Sequence, residues 1–438
     1  MWMWKIRKHE PSGTHYVTVP LVAAIALVIL VIGLGILLWS AERTRPVTLN
    51  VKQPGQFSAL LPSIVGLTQS TLDPGNRVQL LENGDQYFPA LLQEIGKARE
   101  SVHVETYIWW TGPICDQMAN ALAAKARQGV EVRLLVDASG GHKMDDKLKK
   151  MMLDSGVRLR EFHPVRFSNL ARLNNRDHRK IVVIDGRIGF IGGFGIANEW
   201  SGHAQDRDHW RDTGLRVTGP IVNQLQGAFC ENWVEETGEI TAGDRYFPHL
   251  SAAGPSQAHV AYTSPHGGVS SVQVLYYLAI RAARREVLIQ NPYMLPDHNA
   301  IAAFADAVRR GVDVTVMVPA TSATDSPIVE HASHHVYGDL LRAGVKIYEY
   351  TPTLLHQKVI IVDGVWSCVG STNFDDRSFE LNDEISMGVL DPTLASELRA
   401  AFANDLRSAQ QQTYAQWKSR PLWHRFIDQL AYLGSSEF

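Results

Sequence analysis

The sequence has few cysteines and no marked excess of charge of either sign. Its 438 residues include three cysteines, Cys115, Cys230 and Cys368, which are odd in number and far apart. This pattern excludes a disulfide framework and any metal site built from four thiolates. The formal net charge of -3 provides no overall basic field. A protein that binds nucleic acid mainly through its phosphates is therefore disfavoured, and we expect no nucleic-acid partner.

What is present is the composition of an ordinary globular protein. Hydrophobic residues make up 45% and charged residues 20% of the chain. These fractions exclude a disordered, collagen-like or coiled-coil protein. The length allows one large hydrophobic core or two of medium size.

One apolar run departs from the globular pattern. Val17–Trp39 consists almost entirely of Val, Leu, Ile, Ala and Gly, and no charged residue lies between Glu10 and Glu42. A helix of this length spans about 34 Å, enough for a hydrocarbon layer of about 30 Å. We expect a transmembrane helix, with a tail at 1–16 before it and a connector at 40–75 after it. A buried core helix and a cleaved signal peptide are the alternatives.

The flanking charges leave the orientation of this helix open. Three basic residues precede the apolar run and three follow it, so the positive-inside rule gives a tie. They are Lys5, Arg7 and Lys8 before it and Arg43, Arg45 and Lys52 after it. We favour an inside amino terminus and expect a single-pass protein of the cell (inner) membrane, with the side of the folded body left open.

Beyond the connector, the chain carries the same pattern twice. In each copy a helical stretch ends at Gly and a Val-rich alternating strand follows. The repeated segments are Ala98–Tyr107, Ala126–Val136 and Ser155–Phe162 in the first copy, and Ala283–Tyr293, Val308–Val318 and Ala343–Tyr350 in the second.

Such alternation predicts an α/β fold with a largely parallel sheet. We expect two similar α/β/α sandwich domains related by a pseudo-two-fold axis, at 76–240 and 257–410. The stretch from Thr241 to Ser256, rich in Ala, Gly, Pro and Ser, is the predicted boundary. An amphipathic segment at 411–438 ends the chain.

Each copy ends on the same polar motif, His-x-Lys-x4-Asp. Composition alone predicts about 0.03 chance matches in a chain of this make-up, whereas two occur at equivalent positions of the repeat. The motif residues are His178, Lys180 and Asp185 in the first copy, and His356, Lys358 and Asp363 in the second.

The spacing of the motif suggests phosphodiester chemistry. On a strand, His and Lys two residues apart point to the same face, so an imidazole and an ammonium emerge together. Two lysines could hold the phosphate oxygens while one imidazole attacks phosphorus and the other protonates the leaving oxygen. No metal or other cofactor is required. A structural histidine remains the alternative reading of either motif alone.

Two carboxylates are candidates to hold the far nitrogen of each imidazole. Strand-like segments after the two motifs place Asp212 and Glu384 at corresponding positions. We predict that they orient the histidines, with solvated charges at a strand start as the alternative.

These residues resemble the phospholipase D superfamily, whose hallmark is the duplicated motif. The resemblance covers most of the chain from about Asn76 onward. Within the superfamily, the amino-terminal apolar run and the segments 174–186, 210–213 and 370–384 are most similar to bacterial cardiolipin synthases.

The resemblance implies a transfer of a phosphatidyl group from one phosphatidylglycerol to another with release of glycerol, so the expected partners are a phospholipid substrate and the membrane. It also implies that the two His-Lys pairs and Asn373 handle phosphate, that Ser371 binds substrate, that the motif aspartates support them, and that His178 is the nucleophile. The first copy departs from the family by carrying Gly195 where many members have an Asn that matches Asn373.

Two weaker patterns accompany the motifs. His331, His334 and His335 have a spacing that could ligate a metal, although a helix surface is the simpler interpretation. In the tail, apolar residues follow helical spacing beside basic ones, which fits a helix lying on lipid or, more commonly, one packed on the body. The apolar residues are Trp423, Phe426, Ile427 and Leu430, and the polar ones Arg420, His424 and Arg425.

The motif indicates phosphodiester chemistry but does not identify the substrate. The superfamily also contains phospholipases that transfer to water and nucleases that cut DNA or RNA, and these stay open as alternatives. A membrane scaffold without enzymatic activity is the alternative from another class. The oligomeric state is left open.

Overall fold

A computed structural model describes residues 23–33, 57–164, 174–265 and 270–434 of the chain. Residues 23–33 form a helix, α1, within the predicted membrane helix Val17–Trp39. The rest of that predicted helix and the tail at 1–16 lie outside the described residues. Within the described ranges, no helix is both long enough and apolar enough to cross a membrane.

The connector predicted at 40–75 contains a core helix in its described part. Helix α2 (Phe57–Leu67) buries Phe57, Leu61, Ile64 and Val65. The Phe57 ring lies 4.9 Å from the ring of Trp366. Because these apolar positions are spaced at four, three and one residues, one side of the helix is covered. Residues 57–67 therefore belong to the folded body.

The first repeat alternates strands and helices before it ends in a run of strands. Its elements are β1 (Asp73–Glu82), α3 (Asn83–Lys97), β2 (Ser101–Thr106), α4 (Pro113–Arg127), β3 (Glu131–Asp137), α5 (Asp146–Asp154), β4 (Arg158–Phe162), β5 (Ile181–Ile184), β6 (Ile188–Gly192), β7 (Thr213–Thr218) and α6 (Val222–Thr237).

The second repeat follows the same order, with one extra short helix before its last strand. Its elements are β8 (Ser256–Thr263), α7 (Ser271–Ala282), β9 (Glu286–Gln290), α8 (His298–Arg309), β10 (Asp313–Pro319), α9 (Pro327–Arg342), β11 (Lys346–Tyr350), β12 (Val359–Val362), β13 (Trp366–Gly370), α10 (Asp376–Glu380), β14 (Glu384–Leu390) and α11 (Pro392–Leu406). The described chain ends with β15 (Ala409–Gln412), α12 (Tyr414–Lys418) and α13 (Leu422–Leu433).

The strands form one sheet in which the two repeats meet edge to edge. The order β4-β3-β2-β5-β6-β7-β1 of the first repeat recurs as β11-β10-β9-β12-β13-β14-β8 in the second, and β15 extends the outer edge. Strands β1 and β8 join the halves as antiparallel neighbours. This order is that of two copies related by a pseudo-two-fold axis. The division of the chain at 76–240 and 257–410 stays a prediction.

The expectation of a largely parallel sheet is wrong. Among the described strands, only β2-β3-β4 and β9-β10-β11 are parallel, and the other neighbours are antiparallel. The reason lies in the motif itself, because Asp185-Gly186 and Asp363-Gly364 form tight turns. All four residues have φ between 53° and 64°. Asp-Gly with positive φ at both positions favours a hairpin, which reverses the chain without a helix.

The sheet is buried on both faces. On β12, Ile360 and Val362 pack among the residues of α2, α7, α8 and α9, whereas Val359 and Ile361 pack with α6 and α11. Since successive side chains of a strand point to opposite faces, a strand covered on both sides is apolar throughout. This explains the apolar run that follows each His-Lys pair. The polar residues of the motif lie just before the strand begins.

Candidate active site

The two His-Lys pairs lie immediately before β5 and β12, where the halves meet. His178, Lys180, His356 and Lys358 are all buried. His178, Lys180 and His356 border one cleft of about 540 Å³, to which both repeats contribute, and Lys358 contacts His356. The structure thus brings together four of the residues that the motif singled out.

Each imidazole is held by a carboxylate from the other repeat. His178 Nδ1 lies 2.8 Å from Glu384 Oε1, and His356 Nδ1 lies 2.7 Å from Asp212 Oδ2. An ionised carboxylate only accepts hydrogen bonds, so Nδ1 carries the hydrogen in both rings. Nε2 is then the nitrogen of each ring that can attack phosphorus or carry a catalytic proton.

Main-chain pairing across the two repeats fixes this crossed arrangement. The His178 N–H donates to Asp383 O at 2.9 Å, and the His356 N–H donates to Arg211 O at 2.8 Å. The residue before each orienting carboxylate therefore binds the backbone of the opposite histidine. Each imidazole and its carboxylate are held on paired backbone segments, which fixes the ring orientation.

The two lysines face the same space as the imidazoles. Lys180 Nζ donates to His178 O and Lys358 Nζ to His356 O, each at 2.7 Å. Lys358 Nζ also lies 2.9 Å from Nε2 of His356. Each lysine lies beside the histidine of its own motif, and the charges of both lysines act on both imidazoles, an arrangement suited to the charge of a phosphodiester.

Burial and the concentration of positive charge shift the titration of the site. Burial, together with Lys180 and Lys358, holds the pKa of His178 and of His356 well below the ordinary value for histidine. Burial lowers the pKa of Lys180 to about 8 and, with the neighbouring Lys180, that of Lys358 to about 7. Neutral imidazoles beside easily deprotonated lysines are typical of a nucleophilic site.

The orienting carboxylates shift in the opposite direction. Burial raises the pKa of Glu384 to about 7 and that of Asp212 to about 6, and the nearby lysines limit both rises. Ser371 Oγ donates to Glu384 Oε2, whereas Trp200 Nε1 donates to Asp212 Oδ2 at 2.8 Å. Ser371, predicted to bind substrate, thus contacts an orienting carboxylate.

The motif aspartates lie at the opposite ends of the same strands. Asp185 accepts hydrogen bonds from the backbone N–H groups of Arg99, Glu100 and Ser101, at the start of β2. Asp363 accepts from Arg284, Arg285 and Glu286, at the start of β9.

A four-residue strand separates each aspartate from its His-Lys pair, or about 13 Å of chain. The resemblance implies that the two aspartates support the catalytic residues, and the structure places each aspartate where it anchors a neighbouring strand. Neither aspartate lines the cleft.

The two halves differ at the position where the first repeat departs from the family. A Cβ on Gly195 would lie 2.9 Å from the ring of Trp200 and 3.0 Å from Cβ of Ile108. At the equivalent place in the second half, Asn373 borders the cleft, and its side-chain oxygen is buried without a hydrogen-bond partner among the described residues. Trp200 therefore fills the space that an asparagine would need.

Aromatic residues that the sequence did not single out form the walls of the cleft. The Tyr107 ring lies 5.1 Å from that of His178, and Trp200 and Trp210 lie 5.0 and 5.6 Å from that of His356. Tyr293 lines the cleft as well. Tyr107 and Tyr293 end the first segment of each repeat, so their equivalent positions were a signal available in the sequence.

The three histidines of α9 do not converge. His331 Nδ1 lies 2.8 Å from Asp428, the His334 ring is 5.0 Å from that of Tyr337, and His335 stacks on Tyr432 at 4.5 Å. In the part of the chain that the structure describes, no three His, Cys, Asp or Glu side chains are grouped as metal ligands.

Comparison with known proteins agrees with this geometry. The family described as "Cardiolipin synthase, PLD-like domain" matches residues 91–233 and 276–406. The chain belongs to this family. The resemblance noted in the sequence is thereby confirmed, and the protein is a phosphatidyltransferase of the phospholipase D superfamily.

Two curated relatives align over most of the chain. A cardiolipin synthase of Staphylococcus aureus is 33% identical over 383 residues, which cover 87% of this chain and 77% of the relative. A cardiolipin synthase of Geobacillus thermodenitrificans is 34% identical over 409 residues, which cover 90% of this chain and 81% of the relative.

Solved structures share the fold at low identity. A phosphatidylserine synthase from Haemophilus influenzae aligns with a TM-score of 0.66 at 12% identity, covering 86% of this chain and 99% of that one. A polyphosphate kinase from Porphyromonas gingivalis aligns with a TM-score of 0.54 at 15% identity, covering 89% and 57%. These likenesses concern the fold alone.

Proposed function

We propose that this phosphatidyltransferase makes cardiolipin from two molecules of phosphatidylglycerol through a phosphohistidine intermediate. The observation that carries the proposal is the pair of histidines in one cleft, each held at Nδ1 by a carboxylate of the other repeat. Two oriented imidazoles at one phosphate supply both a nucleophile and a proton donor.

In the first step, His178 Nε2 attacks the phosphorus of the donor lipid and the bond from phosphorus to the glycerol headgroup oxygen breaks. His356 gives the proton from its Nε2 to that oxygen, and glycerol leaves. The lysines hold the non-bridging oxygens, joined by the Asn373 amide. The phosphodiester anion offsets the charge of the lysines, which raises the pKa of His356 and lets it carry the proton.

In the second step, His356 accepts the proton of a headgroup hydroxyl of the second phosphatidylglycerol. That oxygen attacks phosphorus, the bond from phosphorus to His178 breaks, and cardiolipin is released. The nitrogen that served as acid thus serves as base, which restores the starting protonation state.

We further propose that residues 17–39 anchor the protein in the cell (inner) membrane as a single-pass helix. The support is the apolar run itself and the exposure of the α1 side chains, seven of which are large and apolar. They are Ile25, Leu27, Val28, Ile29, Leu30, Val31 and Ile32, each at least half exposed. An anchor would concentrate lipid acceptors at the cleft, which favours transfer over hydrolysis by water at about 55 M.

Product analysis with the full-length protein in phosphatidylglycerol liposomes tests this function. We expect cardiolipin and glycerol as the main products, phosphatidic acid as a minor one, and no loss of rate in a chelator of divalent metals. Phosphatidic acid as the main product would overturn the synthase assignment in favour of a hydrolytic phospholipase D. Cleavage of single-stranded DNA without cleavage of lipid would overturn both lipid assignments.

A further inference from the structure

The last described helix turns its apolar side away from the body. Helix α13 contacts α9 and buries Asp428 and Ala431. At 100° per residue, its large apolar side chains lie on the side opposite Asp428. Five of them are between 52% and 78% exposed, namely Leu422, Trp423, Phe426, Leu430 and Leu433. We call these five residues the outer face of α13.

Polar contacts hold the helix in this orientation. Asp428 lies 2.8 Å from His331 Nδ1 on α9 and 2.7 Å from the Arg420 guanidinium. On the preceding α12, Trp417 Nε1 donates to His334 O at 2.6 Å, and its ring covers Gly338 so closely that a Cβ there would lie 2.3 Å away. Because the helix is attached to the body by its polar side, its apolar side faces away from the body.

The exposed charged residues of the segment that carries the outer face are basic. Residues 411–434 contain a single acidic residue, Asp428, and it is buried and paired. Lys418, the last residue of α12, and Arg425, in the first turn of α13, are both exposed. An apolar face with a basic rim complements an anionic bilayer, whereas the same rim repels a second copy of itself.

The attachment of α13 to α9 lies close to the cleft along α9. Ile328 and Val329, in the first turn of α9, border the cleft, and Ile328 is 47% exposed. His331, which binds Asp428 of α13, follows Ile328 by three residues, or about one helical turn. The point at which α13 is attached is therefore about one helical turn from the exposed apolar Ile328 at the border of the cleft.

We propose that the outer face of α13 docks onto an anionic lipid bilayer and directs the cleft towards the lipid headgroups. This inference rests on the proposed lipid function, since the docked surface delivers the substrate to the histidines. The apolar side chains enter the boundary between headgroups and acyl chains, and Lys418 and Arg425 contact lipid phosphates.

Lipid photocrosslinking tests the docking directly. The full-length protein is placed in liposomes of phosphatidylglycerol that carry a photoreactive group in the acyl chain, and the labelled peptides are identified by mass spectrometry. We expect lipid attached to residues 422–433 as well as to 17–39. Lipid attached to 17–39 alone would overturn the proposal, because the outer face of α13 would then not lie in the bilayer.

A triple variant provides the functional test. Replacing Trp423, Phe426 and Leu430 by Ser should lower transfer in bilayers about tenfold and leave the turnover of soluble short-chain phosphatidylglycerol unchanged. The matched control replaces Leu67, Leu153 and Ile240 by Ser, three exposed apolar residues elsewhere on the protein.

Equal bilayer rates for the two triple variants would overturn the docking. If the unaltered protein turned over neither substrate, the proposed function would fail, whereas the crosslinking result would still decide the docking.

Discussion

Glu384 Oε1 lies 2.8 Å from Nδ1 of His178, although 206 residues separate them in the chain. The reciprocal pair, Asp212 and His356, lies at 2.7 Å across 144 residues. Each repeat thus supplies one histidine and the carboxylate that orients the other repeat's histidine. Neither repeat alone holds an oriented imidazole, so the duplicated chain forms a single site.

Removal of either histidine should abolish turnover. We expect His178→Ala and His356→Ala each to lower kcat at least about 10³-fold, because each removes the nucleophile or the proton donor. Steady-state kinetics on phosphatidylglycerol measure this, with circular dichroism to check the fold and His298→Ala, on the exposed start of α8, as the control. Normal turnover in either variant would contradict the two-histidine mechanism.

Isosteric neutral replacements of the orienting carboxylates should lower kcat more than they change KM. Glu384→Gln and Asp212→Asn keep the shape of the side chain but remove the charge that fixes the Nδ1 hydrogen, and we expect kcat to fall about 10²-fold or more. Glu397→Gln, at an exposed position of α11, is the control. An unchanged kcat in both variants would show that the carboxylates serve only packing.

The dependence of kcat/KM on pH should be bell-shaped. As pH falls through about 7 and 6, Glu384 and Asp212 gain protons and no longer hold the imidazoles, so activity falls. As pH rises through about 7 to 8, Lys358 and Lys180 lose the charge that binds phosphate, so activity falls again. In kcat the alkaline limb should move to higher pH, because bound phosphate stabilises the charged lysines.

The Ser371→Ala substitution should shift the acid limb of the pH profile without shifting the alkaline limb. The Ser371 hydroxyl lowers the pKa of Glu384, so its removal should move the acid limb to higher pH and leave the alkaline limb in place. Thr353→Ala, another buried hydroxyl, is the control. An acid limb at the same pH in Ser371→Ala would exclude Glu384 as the group that titrates there.

Restoring the family's asparagine in the first repeat should harm this protein. Gly195→Asn places a side chain where the Trp200 ring lies and should lower the free energy of unfolding by about 1–3 kcal/mol. Displacement of Trp200 would also remove its hydrogen bond to Asp212, so kcat should fall. Chemical denaturation and kinetics measure both effects, with Gly227→Ala, whose added Cβ meets nothing within 4 Å, as the control. Full activity in Gly195→Asn would refute this account of the asymmetry.

The sequence by itself determined the duplication, the chemistry of the His-Lys pairs and the candidate carboxylates. These follow from residue types at short spacing, and the two-residue period of a strand suffices to bring an imidazole and an ammonium together. The alternation of helices and strands is also a local pattern, because short stretches of sequence suffice to predict each element. The Asp-Gly pairs were a further local signal, since positive φ at both positions predicts the hairpins that make the sheet mostly antiparallel.

Only the tertiary structure decided which carboxylate orients which histidine, because that contact joins residues 144 to 206 positions apart. It also decided that Trp200 occupies the space beside Gly195. The same holds for α13. A helical pattern of apolar residues shows that one side of a helix avoids water, but not whether the protein or another surface covers it. Here Asp428 binds the body and the apolar side faces outward, an outcome fixed by the partners on α9.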